Sequence, residues 1–285
     1  MVTIGESDHI KHGRHMDPTT KCMVGTKAFI DMIRLSENNT QAVFAGAYAN
    51  MVAQTRQPIR DFYSSLVSYI YGRNSVNLEN VVRTFFDELF PPFYYTRVDP
   101  KVKGSKSSYN ECLKSARTKI EPFGDIPKKT AEHITKSFNA AHTLLQALNL
   151  GIEVINTTDH STIDPECSKQ LTRLVYCPHC QLGLVNAKPC NGYCLNVIRG
   201  CLSNIAELDQ PWNDYVTAMS SMTSLMKGAF NIEDAMAHLD QRITEGIQYA
   251  TNLAPNIKQQ GLALQRLQPK GIEVTLAAGL HHLQI

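Results

Sequence analysis

The sequence predicts an all-α protein, an elongated bundle of long helices packed side by side. Three observations carry that prediction. Apolar residues recur at three- and four-residue intervals along most of the chain. Few stretches alternate apolar and polar residues as a strand does. Capping residues and prolines stand before the periodic runs, and glycines stand after several of them.

Taken in order, Ile59, Phe62, Tyr63, Leu66, Val67 and Ile70 form the first clear apolar face. Pro58 should start or kink that helix, and Gly72 should end it. Asn77 can cap the next helix, which holds Val81, Val82, Phe85, Phe86, Leu89 and Phe90; Pro91 and Pro92 are expected to stop it. A basic loop with Lys101, Lys103 and Lys106 then leads to a helix carrying Cys112. Lys101, Lys103 and Lys106 read as a solvated loop, with contact to a sulfated polymer as the functional alternative. From Pro127, a helix places Ile134, Phe138, Ala141, Leu145 and Leu148 on one face, with Gly151 just past its end. Asp164-Pro165-Glu166 is a helix start, with a cap, a proline in the first turn and an acid at the positive end of the dipole. Trp212, Tyr215, Val216 and Met219 share a helical face that reads as core. Asn231 with Asp234 resembles a capping box before a helix through Met236, Leu239, Ile243 and Ile247. Periodicity weakens from about residue 260. No internal repeat is visible.

Composition sets bounds on function. A chain of 285 residues can bury a core unaided. Its net charge of +2 gives no electrostatic reason to expect nucleic acid or a membrane surface as partner. The polar N-terminus shows no leader-like apolar segment, and no run reaches the ~18 apolar residues of a spanning helix. His9, His12 and His15 read as part of a solvated leader, with a weak metal tract as the alternative. No nucleophile and base stand in a recognisable arrangement, so no catalytic residue and no cofactor are predicted.

The cysteines are the informative feature. From Cys167 they follow the pattern C-x9-C-x2-C-x9-C-x3-C-x6-C. On a helix starting near Pro189, Cys190 and Cys194 lie about 40° apart with Cys201 between them, so one buried stripe would carry three thiols flanked by Val197, Ile198, Leu202 and Ile205. Three chemistries compete. Cys177-Pro178-His179-Cys180 looks like a redox motif, but it follows an amphipathic helix through Leu171, Leu174 and Val175, where the dipole has the wrong sign for a thiolate; His179 reads as a loop residue. Cys177, Cys180, Cys190 and Cys194 have spacing that suits zinc in an intracellular helical protein, leaving Cys167 and Cys201 over. Six cysteines within 35 residues also suit disulfide staples in an oxidising compartment.

These residues resemble the glypican family. The similarity runs through Cys177-x2-Cys180, Leu182-Gly183-Leu184, Lys188-Pro189-Cys190, Gly192-Tyr193-Cys194, Asn196-Val197 and Arg199-Gly200-Cys201. It extends to Pro165-Glu166-Cys167, Leu208-Asp209 with Trp212, Phe230-Asn231-Ile232-Glu233, Phe62 to Leu66, and Glu121 to Gly124. It covers about residues 36–260, leaving 1–35 as an atypical, flexible N-terminal segment and 261–285 as a divergent C-terminal one. The resemblance implies a non-enzymatic core protein of a cell-surface heparan sulfate proteoglycan, lipid-anchored through glycosylphosphatidylinositol and crosslinked by disulfides. It implies a co-receptor role for Wnt, Hedgehog, fibroblast growth factor and bone morphogenetic protein, with these secreted growth factors and morphogens as partners. It implies that Cys167 joins Cys201. Cys177 and Cys180 would pair with an N-terminal cysteine-rich segment, and Cys190, Cys194 and Cys112 with cysteines of a C-terminal half. Most of those partner cysteines are missing from this sequence, as are a signal peptide, a Ser-Gly attachment pair and an anchor signal. The expectation is therefore a fragment, an alternative product or an incomplete gene model. The pairing of Cys22 stays open. Two N-x-T sequons stand at Asn38 and Asn156; Asn156 is preferred for a glycan because it is expected in a polar loop.

Overall fold

The computed structural model of the chain describes residues 18–73, 76–100, 107–159, 162–184 and 186–267. Every regular element among them is helical. In chain order these are α1 (Pro18–Ala47), α2 (Val52–Ile70), α3 (Leu78–Phe93), α4 (Ser107–Ile120), α5 (Ile126–Asp159), α6 (Pro165–Leu182), α7 (Asn191–Cys201), α8 (Asp209–Met226), α9 (Ile232–Ala237), α10 (Leu239–Asn252) and α11 (Ala254–Leu267). A short 3₁₀ turn precedes α2, another precedes α8, and a π turn, Tyr94–Val98, extends α3. The chain divides into two compact units, one of residues 24–142 and 228–285, the other of residues 1–23 and 143–227.

The first unit holds a large aromatic core. Phe62, Phe85, Phe86, Phe90, Phe93, Phe123 and Phe138 are all buried. Phe62 packs on Phe85 at 4.8 Å between ring centres, and Phe86 on Phe123 at 5.2 Å. The capping predictions hold: the Asn77 side chain accepts from Asn80 N–H, and Asn231 accepts from Glu233 and Asp234 N–H. One buried polar group ties α1, α2 and α9 together. Tyr63 is fully buried, and its hydroxyl lies 2.9 Å from Ser36 Oγ and 2.7 Å from Thr40 Oγ1. Ser36 Oγ in turn donates to the Met236 carbonyl at 2.7 Å. Burial pushes the Tyr63 phenol well above its ordinary range, so it stays protonated. Between α3 and α4, Arg117 pairs with Asp87, while Lys114 sits 2.7 Å from Glu88 and 2.9 Å from Glu111.

Several sequence expectations are corrected here. Residues 24–35, expected within a flexible leader, belong to α1, where Ile30 and Ile33 are buried. His9, His12, His15, Lys101, Lys103 and Lys106 lie outside the described residues, as does the side chain of Cys22. Pro91 and Pro92 do not stop α3. They are buried within it, and the backbone absorbs them by passing into the π turn, where Tyr94 N–H still reaches the Phe90 carbonyl. The helix predicted from Asn231 through Ile247 breaks at His238, whose backbone φ of −109° separates α9 from α10. Helix α5 does not end at Gly151 but runs on to Asp159.

Candidate functional site

The second unit contains the cysteine array and a cleft beside it. Helix α6 starts where its sequence says it should, with Asp164 accepting from Glu166 and Cys167 N–H at 3.1 and 3.3 Å. It runs past Pro178 and ends at Gly183, which takes the left-handed conformation (φ +66°) that closes a helix without a Cβ penalty. Cys167 near the start of α6 is bonded to Cys201 at the end of α7, with 5.3 Å between Cα atoms. The two helices therefore form a stapled hairpin. Tyr193 Oη on α7 donates to Gln170 Oε1 on α6 at 3.3 Å.

The remaining thiols are distributed differently from the spacing argument. Cys190 is the N-cap of α7, with Pro189 ahead of the helix rather than in its first turn. Cys190 and Cys180 are exposed, and Cys177 and Cys194 are half-buried. The supposed buried stripe of α7 is thus open along most of its length; Val197 is buried, but Ile198 is 38% exposed. Among the described residues, no three His, Cys, Asp or Glu side chains gather where they could hold a metal. The zinc reading of the Cys177–Cys194 cluster therefore has no geometry behind it. Cys177, His179 and Cys180 sit in the last turns of α6, where the Pro178 and His179 carbonyls are taken up by Leu184 and Gly183 N–H. That is the negative end of the helix dipole, opposite to the helix N-terminal setting of a redox Cys-x-x-Cys. Cys112 lies half-buried on α4.

Next to the hairpin, an apolar cleft of about 940 Å³ opens between the second half of α5, the end of α7 and the start of α8. Leu150, Val154 and Ile155 from α5, Ile198 and Leu202 from α7 and its C-cap, and Trp212 from α8 line it. Arg199 and Asp209 are among its few charged lining residues. Trp212, expected in the core, is instead 37% exposed in this lining and stacks on Tyr215 at 5.2 Å. Tyr215 fixes the wall: its hydroxyl donates to the Ala147 carbonyl at 2.8 Å and lies directly over Gly151. A glycine inside α5 is explained by this close approach, not by a helix end. Val154 and Ile155 continue the α5 apolar spacing past Gly151, into the polar stretch that the sequence alone assigns to a loop around Asn156.

Both sequons lie on helices. Asn156 lies inside α5 and is half-buried, with Thr158 hydrogen-bonded to helix carbonyls. Asn38 is exposed on α1, while the Thr40 hydroxyl of its sequon is buried against Tyr63.

The glypican family model matches residues 19–262. This chain belongs to the glypican family. Glypican-5 of Mus musculus is 41% identical over 216 residues, covering 76% of this chain but 37% of that protein. The chain thus spans little more than a third of the length of this relative. Among solved structures, a C-terminally truncated glypican-1 superposes with a TM-score of 0.68 at 29% identity, covering 85% of this chain and 57% of that one. Dally-like protein in complex with O-palmitoleoyl serine gives a TM-score of 0.62 at 26% identity, covering 85% and 57%. Glypicans are non-enzymatic proteoglycan core proteins, and the all-helical fold with a Cys167–Cys201 bond agrees with that membership.

Proposed function

We propose that this glypican chain is part of a cell-surface proteoglycan core that works by binding and local concentration rather than by chemistry. In this reading the whole protein stands on the outer face of the plasma membrane through a glycosylphosphatidylinositol anchor. It bears heparan sulfate and acts as a co-receptor modulating Wnt, Hedgehog, fibroblast growth factor and bone morphogenetic protein signals. Heparan sulfate captures basic ligands electrostatically, with a strength that falls as salt rises. The observation that carries the reading is the family match over residues 19–262, which includes the whole cysteine array. Cys177, Cys180, Cys190, Cys194 and Cys112 then pair with cysteines of segments beyond this sequence, and Asn38 and Asn156 are acceptors for N-glycans, with Asn38 the more accessible. The test uses the protein from the cells that make it. Heparan lyase should collapse a broad band to a sharp one, and a phosphatidylinositol-specific phospholipase should release the protein from intact cells. A sharp, cytosolic band with freely alkylated Cys177 and Cys194 would overturn the reading.

A second reading concerns the cleft and fits the first. Its volume and its mostly apolar, nearly uncharged lining suit a fatty acyl chain carried by a secreted partner, and a solved relative is described with O-palmitoleoyl serine. Trp212 lines the cleft and is the only tryptophan of the chain, so its fluorescence reports on this site alone. Titration with palmitoleoyl serine should shift and saturate that emission, and Val154→Asp should abolish the response. An unchanged spectrum up to the solubility limit of the probe would sink this reading.

A further inference from the structure

A smaller cleft, of about 340 Å³, lies within the unit of residues 24–142 and 228–285, between α3, the end of α4 and the start of α5. That volume is at the small end for ligand pockets and takes about one long side chain. Gly124, Pro127 and Ala131 supply the apolar part of its lining. Around them stand Glu79 and Arg83 from α3, Arg117 from α4, Glu121 just past α4, and Lys128 and Glu132 from α5. Glu79 and Arg83 are four residues apart on one helix, as are Lys128 and Glu132 on another, which is the spacing at which opposite charges neutralise each other. Neither pair closes to an ion pair among the described residues, whereas Asp125 and Lys129 at the same spacing stand 2.6 Å apart. Arg117 is taken up by Asp87, with 10% of its side chain exposed. Three carboxylates, on Glu79, Glu121 and Glu132, therefore face two uncommitted cations, on Arg83 and Lys128, and the lining carries an excess of negative charge.

The placement of Glu121 uses an unfavourable backbone. Among the described residues it is the only non-glycine with a positive φ, at +46°, and it directly precedes Pro122. Its N–H closes α4 on the Arg117 carbonyl at 2.8 Å, and its own carbonyl accepts from Gly124 N–H at 2.9 Å. Glycine fills such a position after a helix without strain. A glutamate brings a carboxylate to the cleft at a conformational cost.

We propose that this cleft receives a lysine or arginine side chain of a protein partner, with the methylene stem against Pro127 and Ala131 and the cationic head among Glu79, Glu121 and Glu132. A long basic side chain matches both halves of the lining, because its stem is apolar and its head is charged. Charge-assisted hydrogen bonds to the carboxylates orient the head. A phosphate or sulfate group meets three carboxylates and is repelled. An apolar side chain of the same length covers the charged rim without pairing it, which costs desolvation free energy with nothing to offset it. The inference goes beyond capture by heparan sulfate, since the polypeptide makes this contact and no sugar is needed.

Backbone-amide nuclear magnetic resonance on the whole chain, free of sugar, tests the site. The probes are Nα-acetyl-lysine methylamide, Nα-acetyl-arginine methylamide and the uncharged Nα-acetyl-norleucine methylamide. The amides of Gly124, Lys128 and Ala131 should shift saturably with a basic probe, and the norleucine probe should bind at least about fivefold more weakly. Rising salt should weaken the basic probe. Glu121→Gln, at an exposed position, should weaken it by about threefold or more, whereas Arg83→Gln, which removes a competing cation, should strengthen it. Glu121→Gly separates a binding role from a structural one: it relieves the positive φ, so the urea midpoint should hold or rise while the basic probe binds more weakly. Equal binding of norleucine and the basic probes would overturn the proposal. So would unchanged binding in Glu121→Gln, or the absence of any saturable shift at those amides up to the solubility limit of the probes. None of these outcomes bears on heparan sulfate, which the lyase experiment tests separately.

Discussion

Gly151 shows how much one hydrogen atom decides. An added Cβ would lie 2.3 Å from Tyr215 Oη, although alanine would otherwise favour the helix by about 1 kcal/mol. The clash dominates, because Tyr215 cannot move without losing its bond to Ala147. Gly151→Ala should therefore destabilise the 143–227 unit by about 1–3 kcal/mol in urea denaturation and alter the Trp212 emission, since Trp212 stacks on the displaced ring. Tyr63 is the counterpart in the other unit. Tyr63→Phe keeps the ring and removes the hydroxyl that Ser36 and Thr40 share, for an expected loss of about 1–2 kcal/mol with unchanged helicity by circular dichroism. Phe85, Phe86 and Tyr63 were legible as core residues because periodicity alone places them on buried faces. Trp212 was not, because the same periodicity marks an apolar face without saying whether anything covers it.

At the scale of elements, the capped starts were legible, as was the end of α2 at Gly72, whereas the ends of α3 and α5 were not. Asp164, Asn77 and Asn231 cap helices by bonds between neighbours in sequence, and those bonds form wherever the helix happens to pack. Ends depend on what lies alongside. Helix α5 passes Gly151 because Tyr215 occupies the space a side chain would need, and α3 passes Pro91 and Pro92 because both rings are buried. Asp164→Ala should cost about 1 kcal/mol and show as faster exchange confined to the first turn of α6. The α6–α7 hairpin should depend far more on its staple. Replacing Cys167 and Cys201 together by serine should remove about 3–4 kcal/mol, the chain-entropy value for a loop of this size, measured as a lowered urea midpoint.

For the whole molecule, the two units differ in how much apolar surface each hides. The unit of residues 24–142 and 228–285 buries most of the phenylalanines, whereas among the described residues of 143–227 the buried apolar side chains are Leu145, Leu174 and Val197. Val175, Tyr176, Leu182, Leu184, Val216 and Leu225 are all more than 45% exposed. Limited proteolysis should therefore cut first within 143–227 and leave a protected product from the other unit; cleavage at equal rates in both would contradict this account.

The sequence by itself determined the helical class, most helix starts, the aromatic core and the family, because each rests on local spacing or on an ordered run of residues. Only the tertiary structure decided that α5 continues through Gly151, that Cys190 and Ile198 stand open, and that Leu150, Val154 and Trp212 enclose a cleft. It also brought His133 and Asp234 to within 3.9 Å of each other from helices about a hundred residues apart. The physical reason is the same in each case. Backbone hydrogen bonding and periodicity act within a few residues of sequence, whereas burial and the meeting of charges depend on which distant faces come together.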